Sequence, residues 1–134
     1  MSGEAVPFTD HGSTQQSAND NGRLIVAAAD PAQTGLGQLA RKEDGRLYIA
    51  VFAGAQRTGG YAVRVVGIER SGDLFFVRAA FTVPPSGALT IQVLTSPAQL
   101  VSISSRAVGT ARDLVLTDES GAEQARTRVP QSQP

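Results

Sequence analysis

Residues able to do acid–base or nucleophilic chemistry are few in this chain. It has one histidine, His11, and no cysteine in 134 residues. Without cysteine there is no disulfide, thiolate nucleophile, iron–sulfur cluster or cysteine-ligated zinc. His11 lies between Asp10 and Gly12 in a polar stretch. Ser-His-Asp catalysis needs an imidazole held on a rigid element, so His11 reads as a solvated side chain. The adjacent acidic pairs, Glu43-Asp44 and Asp118-Glu119, fall in turn sequences, where carboxylates accept from nearby backbone N–H groups. Neither has the alternating oxygen ligands of a calcium loop. No catalytic residue, metal or cofactor is expected, and the chain reads as non-enzymatic.

Anion-binding chemistry is equally thin. Gly54-Ala55-Gln56-Arg57-Thr58-Gly59-Gly60 is glycine-rich. It lacks the Gly-Lys-Ser/Thr ending of a phosphate loop, and a strand follows it instead of a helix. Twelve cations, eleven of them arginine, balance twelve carboxylates, so the formal net charge is zero. No broad basic field draws nucleic acid or anionic lipid. Arg57, Arg64, Arg70 and Arg78 read as solvated loop or strand-face residues, and no nucleic-acid partner is expected. The run Leu24 to Ala29 is too short to span a bilayer, so no membrane insertion is expected either.

These residues must be positioned by strands. Short β-branched and aromatic runs recur between Gly, Pro, Asp and Ser. Strands are predicted at Leu24–Val26, Arg46–Phe52, Tyr61–Arg70, Leu74–Val83, Leu89–Thr95, Leu100–Ile103, Leu114–Leu116 and Gln124–Val129. Arg46–Phe52 is apolar on both faces, which predicts a central strand. Phe75, Val77, Ala79, Phe81 and Val83 share one face at a period of two, with Arg78 and Thr82 on the other. Ser71-Gly72-Asp73 predicts a tight hairpin turn. Residues 32–42 read as a loop with a single helical turn. The pattern predicts an all-β, mostly antiparallel fold, a β-sandwich or small open barrel. Residues 1–21, rich in Ser, Gln, Asn, Asp, Gly and Thr, bury too little apolar surface to offset ordering entropy. They are expected to form a disordered N-terminal arm, with 22–130 as the β domain and 131–134 as a disordered tail.

One segment stands apart from this strand pattern. Gly54 to Tyr61 connects two strong strands and carries two adjacent glycines, which open conformations closed to other residues. Thr58 can accept from the N–H groups that follow it. Tyr61 can bury its ring and keep its hydroxyl for a polar partner. A shaped strand connection accounts for the loop; so does a rigid display loop at one end of a β scaffold, where recognition often sits.

Leu47 to Val65 with its Thr58-Gly59-Gly60-Tyr61, then Gly72-Asp73-Leu74, then Ile91 to Pro97 with its Thr95-Ser96-Pro97, resemble the C-terminal domain of the PrcB family over about residues 46–105. The family takes its name from a bacterial accessory protein that stabilises a surface protease complex. The resemblance implies a non-catalytic protein-binding domain that docks on a partner such as a protease. It also implies a place outside the cytoplasm, although residues 1–22 lack the basic and apolar pattern of a signal peptide. The expected protein-binding residues are Gln56, Arg57, Thr58, Gly59, Gly60 and Tyr61, with Ser96 and Pro97 beside them. Arg57 is the polar anchor, because its guanidinium can hold a carboxylate through two bonds. Thr58-Gly59-Gly60-Tyr61 also resembles the plugging loop of chagasin-type cysteine-protease inhibitors, which makes a protease inhibitor the alternative. A third possibility, an enzyme or small-ligand carrier, requires a concave pocket with convergent polar groups. Partner identity and oligomeric state are left open.

Overall fold

A computed structural model describes residues 4–17, 22–87, 89, 92, 94–109 and 111–130. The expected tail, 131–134, lies outside the described residues. Among the described residues there are nine strands: β1 Glu4–Ala5, β2 Thr9–Thr14, β3 Leu24–Ala28, β4 Arg46–Phe52, β5 Ala62–Ser71, β6 Leu74–Thr82, β7 Ala98–Ser104, β8 Asp113–Thr117 and β9 Glu123–Arg128. They form a five-stranded sheet in the order β1-β5-β6-β8-β9 and a four-stranded sheet in the order β2-β7-β4-β3. All pairings are antiparallel except β6–β8. The fold is all-β, and the two sheets do not close into a barrel.

The predicted strand at Leu89–Thr95 is not found. Of its residues, 90, 91 and 93 lie outside the described residues; Leu89, Gln92 and Leu94 are not in a strand, and Thr95 makes an isolated bridge to Gln56. The strand predicted at Leu100–Ile103 starts earlier, at Ala98.

Alternation builds the main core. Leu47, Ile49 and Val51 of β4 and Val101 and Ile103 of β7 meet Val63, Val65, Ile68, Phe75, Val77, Ala79, Leu114 and Leu116 from the five-stranded sheet. The other residues of β4, Tyr48, Ala50 and Phe52, form a second core with Leu36, Ala98 and Leu100. Leu36 belongs to residues 31–40, two 3₁₀ turns that cover the outer face of the four-stranded sheet. Asp30 starts this cover by accepting the Ala32 N–H at 3.0 Å, and Pro31 occupies the first helical position, where its missing donor costs nothing. Gly37 lets the cover fold tightly, because a Cβ there would lie 2.8 Å from the Ala32 Cα. The cover explains why β4 is apolar on both faces.

The two sheets are also joined by a polar bond. β5 carries a bulge between Val65 and Gly67, which disturbs the ladder locally. The buried Gln99 of β7 reaches across, and its Oε1 accepts the Val65 N–H at 2.5 Å.

The N-terminal stretch differs from its expected disorder. β1 pairs with β5 and β2 with β7, so residues 4–14 add an edge strand to each sheet. Val6 is buried and Phe8 packs against the main core. Average composition missed this because an edge strand is held largely by backbone bonds, and two apolar anchors suffice to dock it. His11 is accordingly no free arm residue. Its Nε2 is 2.8 Å from Ser102 Oγ, and its ring centroid is 5.6 Å from that of Tyr48.

Candidate functional site

Residues 54–61 leave β4 at one end of the sandwich. Gly54 (φ 92°) and Gly60 (φ 91°) take left-handed backbone conformations, which side chains other than glycine rarely adopt. Gly59 does not, so Gly60 and Gly54 set the loop's shape rather than the Gly59-Gly60 pair. The loop is pinned to the segment before β7. Gln56 and Thr95 exchange two backbone bonds, at 2.7 and 2.8 Å. Thr95 Oγ1 donates to the Thr58 carbonyl at 3.0 Å, and the Ala53 N–H donates to the Pro97 carbonyl at 2.9 Å. Thr58 Oγ1 donates to the Gly59 carbonyl at 3.0 Å; it caps no following N–H group, contrary to expectation.

A third segment joins from the N-terminal side. The Ser96 N–H donates to the Gln15 carbonyl at 2.7 Å, the Ser17 N–H to the Ser96 carbonyl at 3.1 Å, and Gln16 Nε2 to the Leu94 carbonyl at 3.1 Å. Residues 15–17, 54–61 and 94–97 are therefore laced together.

The expected binding residues separate into two groups. Arg57 and Gly60 are exposed, and Gln56, Thr58, Gly59 and Tyr61 are half-buried. Ser96 and Pro97 are buried, so they are not displayed; their carbonyls and N–H groups hold the neighbouring segments. Their strand-like backbone turns inward because Ala98 immediately begins β7 inside the second core. Leu94, just before them, is exposed at 72%. Among the described residues, the Arg57 guanidinium has no hydrogen-bond or ion-pair partner.

Sequence reasoning missed a second cluster. Ser102 is fully buried, and its Oγ accepts from Arg46 Nε at 3.1 Å and Arg46 Nη2 at 2.8 Å while meeting His11. Arg46 Nη2 also donates to Thr9 Oγ1 at 3.0 Å. A serine beside an imidazole is the geometry of an activated nucleophile. Here the oxygen is shared with a guanidinium and shut away from solvent, and both partners on β2 tie that strand to the sheet. The register Tyr48↔Ser102 and the distance of 91 residues between His11 and Ser102 left no local signal in the sequence.

The acidic pairs are turn residues. Asp118 Oδ1 accepts from the Ser120 N–H (2.9 Å), Ser120 Oγ (2.6 Å) and the Ala122 N–H (3.0 Å), and Oδ2 accepts from Gln124 Nε2 (3.0 Å). The Ser120 hydroxyl, then the Ala122 N–H, hold its carboxyl below the ordinary value of 3.8. At the end of the sandwich away from the loop, a depression of about 280 Å³ is lined by Arg46, Ser105, Val108 and Pro130, among others. Among the described residues, no helix is long and apolar enough to cross a membrane.

Residues 47–104 match the family model described as PrcB C-terminal. This segment is similar to the C-terminal domain of the PrcB family. The match runs from β4 to the last residue of β7 and contains both the 54–61 loop and the 94–97 segment. Comparison with curated proteins and with solved structures gave no match.

Proposed function

We propose that this PrcB-type chain is a non-catalytic accessory domain that binds another protein through the 54–61 loop. The observation that carries the reading is a loop laced at Gln56, Thr58 and Ala53 to residues 95–97, with the exposed Arg57 at its crest. A loop already ordered loses little entropy on binding. An unpaired guanidinium beside the exposed Leu94 combines a bidentate carboxylate anchor with apolar contact area. Ser96 and Pro97 act as the loop's support. The family resemblance supports an accessory role, with a protease complex as the partner.

Arg57→Ala should weaken partner capture about tenfold or more and leave the melting temperature nearly unchanged. Gly60→Val should weaken capture and lower the melting temperature together, because it forces valine into a left-handed backbone. Recovery of the same partners at the same yield by both variants sinks the loop as the binding surface. The pinned loop also favours a second reading, a protease inhibitor of the plugging kind. Lack of inhibition of cysteine and serine proteases at micromolar concentration ends that reading.

A further inference from the structure

We propose that the outer face of the five-stranded sheet is a second docking surface, for an acidic protein segment. The two sheets are unequal on the outside. Residues 31–40 cover the four-stranded sheet, whereas the face of the other sheet carries Arg64, Arg78, Arg126 and Arg128, all exposed. Arg126 is neutralised by Glu123 at 3.1 Å and Asp113 at 3.6 Å. Among the described residues, the Arg64 and Arg78 guanidiniums have no partner.

The register puts these two arginines close together. Arg64 is opposite Ala80 and Arg78 is opposite Gly67, so they are diagonal neighbours on one face of β5 and β6, roughly 7 Å apart. Between them the floor is a bare glycine and a methyl group, and a Cβ built at Gly67 meets nothing within 4 Å. Two like charges flanking this open space repel in the free protein, and a carboxylate lying between them relieves that repulsion. The half-buried Phe76, two residues from Arg78 on the same face, and the exposed Val66 at the bulge offer apolar contact beside the charges.

The facing carboxylates define the partner. Glu69 on β5, Asp113 on β8 and Glu123 on β9 share this face, and they interrupt it at intervals. A continuous phosphate backbone meets these carboxylates as it crosses the sheet. A short protein segment with one or two carboxylates and an apolar residue fits between them. This surface is separate from the 54–61 loop and does not depend on the reading given to that loop.

The test is a titration of the uniformly ¹⁵N-labelled full chain with octaglutamate and, separately, with a thymidine octanucleotide at low salt. The expected result is saturable amide shifts grouped on residues 64–67 and 76–80 with octaglutamate. Arg64→Glu with Arg78→Glu should weaken binding about tenfold or more, and Arg57→Glu should leave it unchanged. Unfolding midpoints of the variants check that the sheet is intact. Shifts centred on 54–61, no saturable shift, or tighter binding of the oligonucleotide overturn the proposal. Loss of the Arg57 effect on partner capture, with these shifts intact, removes the loop reading alone.

Discussion

The outer faces of the two sheets are built on opposite principles. On the four-stranded sheet, Tyr48, Ala50, Phe52, Ala98 and Leu100 are apolar and roofed by residues 31–40. On the five-stranded sheet, the equivalent outward positions of β5, β6, β8 and β9 include Arg64, Glu69, Arg78, Arg126 and Arg128, and among them only Val115 and Thr117 of β8 are buried. An antiparallel sheet with one face in water reads as alternating, and a sheet packed on both faces reads as a continuous apolar run. Both patterns occur here within one chain. The difference places more of the apolar packing on the roofed face and more of the charge on the other.

The largest expected effect tests that division of roles. Leu36 has no exposed surface and sits at the centre of the roof against Tyr48, Phe52 and Leu100. Leu36→Ala should cost about 3 kcal/mol, from lost burial and the cavity left behind. On the open face, Phe76→Ala should cost less, about 1–2 kcal/mol, because that ring is only partly buried. Urea unfolding of the two variants measures both. Equal losses would mean that the 31–40 segment rests on the sheet without being packed into it.

How much of this contrast could be read from residues alone depends on range. β4 announced itself through Arg46 to Phe52, apolar at every position after the first, and β6 through the period-two placement of Phe75, Val77 and Ala79. The turn at Gly72 (φ 61°) follows from local chemistry. The roof did not, since two short 3₁₀ turns leave no helical periodicity and Leu36 and Leu39 look like loop residues. The arm was misread for a related reason: β2 is Thr9 to Thr14, with no apolar residue, and it is held by β7 through its backbone. In the candidate site, the left-handed backbone at Gly60 follows from the paired glycines, of which Gly59 does not share it. The burial of Ser96 and Pro97 depends on Gln15 and Ala53, and such pairings across distant segments are invisible in a local pattern.

The next effect concerns what couples the two faces. Gln99 is buried and accepts the Val65 N–H, next to the bulge in β5. Gln99→Leu keeps the volume and removes the acceptor, so a buried donor is left unpaired at a cost of about 2 kcal/mol. Hydrogen exchange should show the Val65 amide exchanging faster in this variant, while the amides of β8 change little. Unchanged protection at Val65 would mean that water replaces the glutamine and that the sheets are held by apolar contact alone.

The smallest effect lies at the β8–β9 turn, on the edge of the open sheet. Asp118 is ionised more readily than an ordinary aspartate, chiefly because the Ser120 hydroxyl and then the Ala122 N–H donate to its carboxylate. A carboxyl whose value is lower in the folded state contributes stability that is present above the unfolded value, near 3.8. That contribution fades as the pH falls through the lower folded value. Stability measured from pH 5 downward should therefore decline more gently in Asp118→Asn than in the parent chain. The asparagine side chain still accepts a bond at Oδ1, so the turn survives and only the titrating part is removed. A parallel decline in both proteins would assign the acid sensitivity to other carboxylates. Glu123 is the next to examine, because Arg126 lowers its value in the same way and it too faces the open side.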